Sequence, residues 1–395
     1  MNRRSSIVAL TALALVISAT AGAQMGQRPN PFPGGPMGPG TRPGPGMPGS
    51  GSRGPMRPDI ASESAMIAPP GSALSHVSYI DTHTHLDGQL PRGGSDWEGA
   101  VHAALTAMDG LGIAKSIVMP PPLPANHPNL YDHDSLLAAV RKRSDRFAVV
   151  GGGGSLNGMI QDAIATGQTP EAARRRFEER ATKIIRDGAV GFGEMTAEHL
   201  SFFSRHPYES APPDHPLFLL LADIAARLDV PIDLHMEAVA RDLPLPPRFS
   251  SPPNPSALRE NISGLERLLA HNPKAKIIWV HAGWDNTGHW TVELIRRLLE
   301  THPNLSLSIK VDPLSLLVNR PLAATGALKP EWAELVRAFA DRFLIGSDSF
   351  YSSPQFPRQR PPSGEGPRAF LDQLPPDVAR RVGVDNAARL FNLSK

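Results

Sequence analysis

Residues 276–283 read KIIWVHAG, an apolar run that closes on a single histidine, and a helical stretch, VELIRRLLETH, follows at 292–302. A short apolar run bounded by glycine fits a strand buried on both faces. The same unit recurs along the chain. Strand-like segments stand at 77–85 (VSYIDTHTH), 114–120 (AKSIVMP), 146–153 (RFAVVGGG), 189–195 (AVGFGEM), 230–237 (VPIDLHME), 305–311 (LSLSIKV) and 342–348 (RFLIGSD). Helical patterns at 97–112, 133–145, 171–188, 217–229, 262–272 and 331–341 lie between them. Eight strands each followed by a helix argue for parallel strands joined by crossover helices. In about 320 residues they predict an α/β fold of the (β/α)8, or TIM-barrel, type; the alternative is an open doubly wound sheet. The glycine run Gly151 to Gly154 lacks the spacing of a phosphate-binding loop and reads as a flexible loop after the third strand.

Polar residues recur at the carboxyl ends of these strands, the rim on which barrel active sites are built. The first strand ends in His83 and His85, the fourth in Glu194, the fifth in His235, the sixth in His281 and the eighth in Asp348. Residues i and i+2 of an extended strand share a face, so His83 and His85 point the same way. A polar group closing an apolar strand must find a partner or bear the cost of desolvation. Alone, a histidine such as His235 satisfies itself on a backbone carbonyl; six such residues at five strand ends converge on one mouth and form a candidate metal site. The chain has no cysteine, so His, Asp or Glu must hold any metal. Imidazole and carboxylate suit one or two divalent ions, zinc first, and also manganese, cobalt or iron.

These motifs resemble the amidohydrolase superfamily, especially its amidohydrolase 2, or amidohydrolase-related, branch. DTHTH, DLHME, WVHAG and IGSD stand in order, the resemblance runs from Tyr79 to the C-terminus, and the closing VGVDNAARLFNL, with Asn386 and Ala387, is similar to the end of that branch. The resemblance implies that His83 and His85 are first-strand metal ligands and that Asp348 touches the metal and takes a proton from its water. It also implies that His235 and His281 are the fifth- and sixth-strand histidines. Two arrangements stay open. If Glu194 bridges two ions, as a fourth-strand carboxylate does in two-ion members, His235 and His281 bind the second. Otherwise one ion sits on His83, His85, His235 and Asp348, and His281 is a free electrophile or acid, as in the family's decarboxylases. A bound divalent ion lowers the pKa of its water from about 15.7 towards about 7, and Asp348 is placed to accept and return the proton. The expected reaction is hydrolysis of a small ester, lactone or amide. The alternatives are single-ion decarboxylation of an aromatic or unsaturated acid, and an exported barrel that only binds. The chain has neither a serine nucleophile elbow nor a His-Glu-x-x-His helix.

Lys310, ending the seventh strand, and Trp284, just past the sixth, are further candidates for substrate binding. Lys310 either meets a substrate carboxylate or sits in a salt bridge. Glu237, Asp285 and His289 follow strand ends and either orient ligands or cap helices. The histidines at 102, 127, 133, 199, 206, 215, 271 and 302 read as surface residues. Pro-rich insertions at 120–134, 241–256 and 350–368 fall on the active-site side and should shape the pocket. Tyr131, Phe249, Trp284, Trp290 and Tyr351 then either meet a ring-bearing substrate or hold these loops down.

Residues 1–23 join Arg3 and Arg4 to an apolar run from Ile7 to Ala19 and an Ala-Gly-Ala site ending at Ala23, the pattern of a cleaved secretory signal. That run is too short to span a bilayer, and no later stretch approaches about 20 uninterrupted apolar residues. The expected location is periplasmic or secreted, with no integral membrane segment after signal removal. Residues 24–75 are dominated by Pro and Gly without collagen's three-residue period and read as a disordered linker before a barrel domain at 76–395. Of the chain's 40 basic residues, six arginines precede the first acidic residue, Asp59, leaving 34 against 38 acidic ones in the remainder. The barrel is therefore mildly acidic and nothing favours nucleic acid. A small-molecule substrate is the expected partner, and an oligomer is compatible with the sequence.

Overall fold

The computed structural model describes residues 78–90, 93–202, 206–250, 253–356 and 365–393. The expected signal and all but the end of the sequence before Tyr79 lie outside these residues, as do 251–252 and 357–364 of the Pro-rich insertions.

Eight strands run parallel: β1 (Tyr79–Asp87), β2 (Ile113–Val118), β3 (Phe147–Val149), β4 (Phe192–His199), β5 (Pro231–Met236), β6 (Lys276–Ala282), β7 (Leu305–Ile309) and β8 (Phe343–Ile345). Neighbours follow the order β3-β2-β1-β8-β7-β6-β5-β4. Residues 147–152 join the two ends. Phe147–Val149 pair with β2, and one residue further on Gly151 and Gly152 pair with Phe192 and Gly193 of β4. The result is the expected barrel rather than an open sheet.

The glycine run is thus part of the barrel wall, not the flexible loop that composition suggested. All four glycines are buried. A Cβ on Gly154 would lie 1.9 Å from the Tyr131 carbonyl oxygen, and one on Gly153 would lie 2.7 Å from that of Pro120. Only a residue without a side chain lets these backbones approach so closely.

Helices α1 (Trp97–Leu111), α2 (His133–Val140), α3 (Leu156–Thr166), α4 (Glu171–Arg186), α5 (Pro216–Leu228), α6 (Ile262–His271), α7 (Val292–Thr301) and α8 (Pro330–Ala338) connect the strands. Local chemistry sets their ends. Asp96 caps α1 by accepting from the Gly99 N–H, and Gly112 stops it in the left-handed conformation at φ 69°. The short α3 was not among the expected helical stretches; it buries Leu156, Ile160 and Ala163 at helical spacing directly after the glycines.

Strand alternation sorts the core into two layers. Tyr79, Ile277 and Trp279 pack in the large cluster that includes the helices, whereas Ile80, Ile278 and Val280 join Ile117, Val150 and Leu344 in a separate inner cluster. Three short helices, α9 (Glu365–Leu371), α10 (Pro376–Arg380) and α11 (Asn386–Leu390), end the chain. Ala387, Leu390 and Phe391 pack onto the inner cluster. Asn386 Nδ2 donates to the carbonyls of Ala340 and Phe343, both at 2.8 Å, at the entrance of β8. The closing segment therefore seals the end of the ring opposite the histidines, each buried Leu or Phe contributing about 1.5–3 kcal/mol.

Three histidines expected at the surface are buried, and each has a partner that a linear pattern does not display. His133 Nε2 lies 3.1 Å from Asp187. His199 closes β4 and its Nδ1 donates to the Pro207 carbonyl at 3.0 Å. His302 caps α7 and lies 3.7 Å from Glu266. Among the described residues no helix is long and apolar enough to cross a membrane.

Candidate metal centre

The pentapeptide at 81–85, DTHTH, spends every side chain on the mouth of the barrel. Thr82 Oγ1 donates to the Ile345 carbonyl on β8 at 2.8 Å, and Thr84 Oγ1 donates to the Ile117 carbonyl on β2 at 3.1 Å. Asp81 accepts from the Ser347 N–H at 2.9 Å, tethering the segment that carries Asp348. Fixed on both sides, β1 presents His83 and His85 together. Gly346 permits the approach of β8: a Cβ there would lie 1.9 Å from Ser308 Oγ and 2.9 Å from His83 Cβ.

All six expected residues come together. Glu194 Oε2 lies 3.7 Å from His83 Nε2 and 3.6 Å from His85 Nε2. Its Oε1 lies 2.5 Å from His235 Nδ1 and 3.5 Å from His281 Nε2. Asp348 Oδ1 stands 3.2 Å from His85 Nε2 and 3.8 Å from His83 Nε2. Two triads, His83–Glu194–His281 and His83–His85–Asp348, each keep their ligand atoms within 4.8 Å of one another. His281 and Asp348 reach the cluster with positive φ, 69° and 56°, a conformation uncommon for residues other than glycine. On the His235–His281 side, Trp279 Nε1 donates to the Met236 carbonyl at 2.7 Å, locking β6 to β5 beside both histidines.

The tautomers are set from behind. His83 Nδ1 faces the Asp233 carboxylate at 3.1 Å, and His85 Nδ1 donates to the Met119 carbonyl at 3.0 Å. Acceptors at Nδ1 keep the proton there and leave Nε2 with a bare lone pair. His83 Nε2 is buried without a hydrogen-bond partner. Imidazole lone pairs and carboxylate oxygens therefore face a common point, and this donor set fits a divalent cation.

Electrostatics agree. Burial alone would lower His83 and raise Glu194, but Asp233 and Glu194 hold His83 well above its usual range, while His83, His235 and His281 hold Glu194 well below its own. Burial likewise opposes ionisation of Asp348, and the Lys310 ammonium overrides it, keeping that carboxyl well below the usual range. His281 is pushed down to about 3 by burial. The carboxylates that favour a proton on His83 favour a cation in the same place.

Asp233 is the residue that sequence reasoning passed over. Its signal was present: an acid inside an apolar strand, two residues before His235 and so on the same face. Gly193 gives it room, since a Cβ there would lie 2.9 Å from Asp233 Cβ. Phe350, stacked on His85 with ring centroids 4.2 Å apart, was also missed.

Around the cluster, Lys310 Nζ meets Asp348 Oδ2 at 2.5 Å and lies 4.0 Å over the Trp284 ring. The other charged candidates brace loops. Glu237 accepts from Asn286 Nδ2 at 2.7 Å; Asp285 accepts from the Thr287 and Gly288 N–H groups and from Asn319; His289 Nδ1 accepts from the Ala240 N–H. Among the aromatics, Tyr131 donates to the Leu86 carbonyl, Trp290 stacks on Trp279 and Tyr351 is buried in the core, so these three hold structure. The insertion after β5 folds across its neighbours: Arg248 reaches the Asp285 carbonyl, and Asn254 hydrogen-bonds with the Ser201 backbone in both directions. Phe202, 39% exposed, contacts Phe249 and Trp284 at centroid distances of 5.3 and 6.1 Å.

Residues 80–393 match the family profile described as Amidohydrolase, and the chain belongs to that family. Its members include hydrolases and decarboxylases acting on small molecules and commonly bind divalent metal. No curated protein matches the chain. Among solved structures, it is similar to a probable 2-pyrone-4,6-dicarboxylic acid hydrolase from Acinetobacter baumannii (15% identity, 80% of this chain and 100% of that one, TM-score 0.47). It is also similar to an amidohydrolase 2 from Bifidobacterium longum subsp. infantis (13%, 80% and 99%, 0.40) and to an L-hydantoinase from Arthrobacter aurescens (15%, 80% and 71%, 0.41).

Proposed function

We propose that the protein is an exported, two-ion metallohydrolase that cleaves a small ester, lactone or amide. The observation that carries this reading is the placement of Glu194, one oxygen toward His83 and His85 and the other toward His235 and His281. A single-ion site would draw His235 toward His83, His85 and Asp348, whereas its Nδ1 lies against Glu194 and 3.2 Å from His281 Nε2. In this reading His83, His85 and Asp348 would hold one ion, His235 and His281 the other, and Glu194 would serve both; zinc would suit these ligands. When bound, the ions supply Lewis acidity and make a water molecule acidic near neutral pH. The chain's own residues do the rest. Asp233 and the Met119 carbonyl keep the Nε2 atoms of His83 and His85 free, and Asp348 Oδ1, facing the same point, accepts the proton released on attack and returns it to the leaving group. Lys310 fixes the other Asp348 oxygen and so the orientation of the carboxylate.

Export is read from residues 1–23, with 24–75 as the tether and 76–395 as the catalytic domain. The test is metal content per chain by elemental analysis, wild type beside Glu194→Gln. Two ions falling to one or fewer in the variant is the expected result; one ion in both would replace this reading with the single-ion arrangement.

A further inference from the structure

Lys310 is only 7% exposed. Its ammonium carries three donors, of which one goes to Asp348 Oδ2; among the described residues the others have no acceptor. Spare donors on a largely enclosed lysine are set to take a further acceptor, and the Trp284 ring 4.0 Å from Nζ supplies an aromatic face but no lone pair. Holding Asp348 in place uses a single N–H and leaves the remaining donors unexplained. They sit at the end of β7, on the rim where the histidines converge.

We propose that Lys310 is a specificity-determining residue that binds a second, unreactive carboxylate of the substrate, within a few bonds of the carbonyl that is attacked. The spacing follows from Asp348, whose Oδ1 faces His85 while its Oδ2 holds Nζ. An anion on the free donors therefore lies beside the reacting carbon. A compact ammonium with rotatable donors suits such a point anion. The partly buried Phe350 and the exposed Phe202 offer apolar contacts to the remainder of the molecule. The inference rests on the hydrolase reading and narrows its substrates to half-esters, half-amides or lactones that carry a free carboxylate.

Malonate, with two carboxylates one carbon apart, and malonamate, in which one is a neutral amide, test this in the full-length metal-loaded protein. Binding is followed by calorimetry and by tryptophan fluorescence, which Trp284 reports from beside Nζ. Malonate should bind at least tenfold more tightly, Lys310→Met should bring the ratio near one, and Lys310→Arg should keep most of it. A wild-type ratio near one, or an unchanged ratio in Lys310→Met, overturns the proposal, the second by giving the preference to the ions. The wild-type comparison needs no variant, so a misfolded substitution cannot shelter the idea. Metal content on the same samples separates the two readings: a Lys310-dependent preference in protein that takes up no ions on metal loading would sink the hydrolase and leave the carboxylate subsite standing.

Discussion

If the centre holds two ions as proposed, replacing Asp233 by Ala should weaken one and spare the other. His83 Nδ1 lies 3.1 Å from both Asp233 oxygens, and the two residues are 0% and 1% exposed. Without the carboxylate, the Nδ1 proton has no acceptor in a dry site, a penalty of about 1–3 kcal/mol. The imidazole escapes it by moving the proton to Nε2, the atom that must face the metal, and binding then has to reverse that tautomer. Loss of such an outer partner lowers metal affinity about 10- to 100-fold, or about 1.4–2.7 kcal/mol, which agrees with the penalty. The ion on His83 and His85 should bear this loss, and the one on His235 and His281 should stay within about threefold of wild type. Asp233→Asn, whose amide oxygen still accepts, should fall between. Competition against a chromophoric chelator resolves the two affinities, with thermal denaturation as the check on folding. Equal weakening of both ions, or no change in either, would refute the tautomer argument.

Away from the site, Asp132 accepts from the His133 and Gly152 N–H groups at 2.7 and 2.8 Å and from Arg180 at 3.1 Å. Burial raises its pKa, and bonds from His133, Gly152 and Ser155 more than offset this, bringing it down to about 2. A folded value below the unfolded one of about 3.9 gives stability that is present above about pH 4 and lost as pH falls through about 2, roughly 2 kcal/mol in all. The denaturation gap between wild type and Asp132→Asn should narrow over that window; a gap that ignores pH contradicts the assignment. Gly346→Ala drives a methyl into Ser308 and His83 and should destabilise by about 2–3 kcal/mol with loss of metal, partly recovered when combined with Ser308→Ala. Phe391→Ala should cost about 3–5 kcal/mol in urea unfolding yet leave metal content per folded molecule unchanged, because Phe391 packs at the end away from the histidines.

The strands and their terminal ligands were legible because a parallel barrel writes each strand as an apolar run and each functional group as the polar residue that ends it. His235, His281 and Asp348 stand out for that reason. Asp233 obeys a different rule. It lies within the run, where an acid looks like an interruption, and its meaning depends on His83, 150 positions away. The four glycines were misread for a related cause: composition marks them as pliable, while their need for the missing side chain lies in Tyr131 and Pro120, segments that only the fold brings near. Helix-forming patterns also carried no hint that His199 would close β4 against the ring of His235, with centroids 4.8 Å apart.

Those same glycines form a short joint between residues 147–152 and β4. Two register pairs hold it, supplemented by the N–H of Val190 to the Val149 carbonyl, of Gly151 to Gly191 and of Gly153 to Gly193. Glu194 is the next residue along β4. Amide exchange by local breathing concentrates where contacts are few, so deuterium should enter at Val190, Gly151 and Gly153 ahead of β5 and β6. An ion held by Glu194 would clamp that joint from inside, and loading the protein with metal should slow exchange there more than anywhere else in the ring.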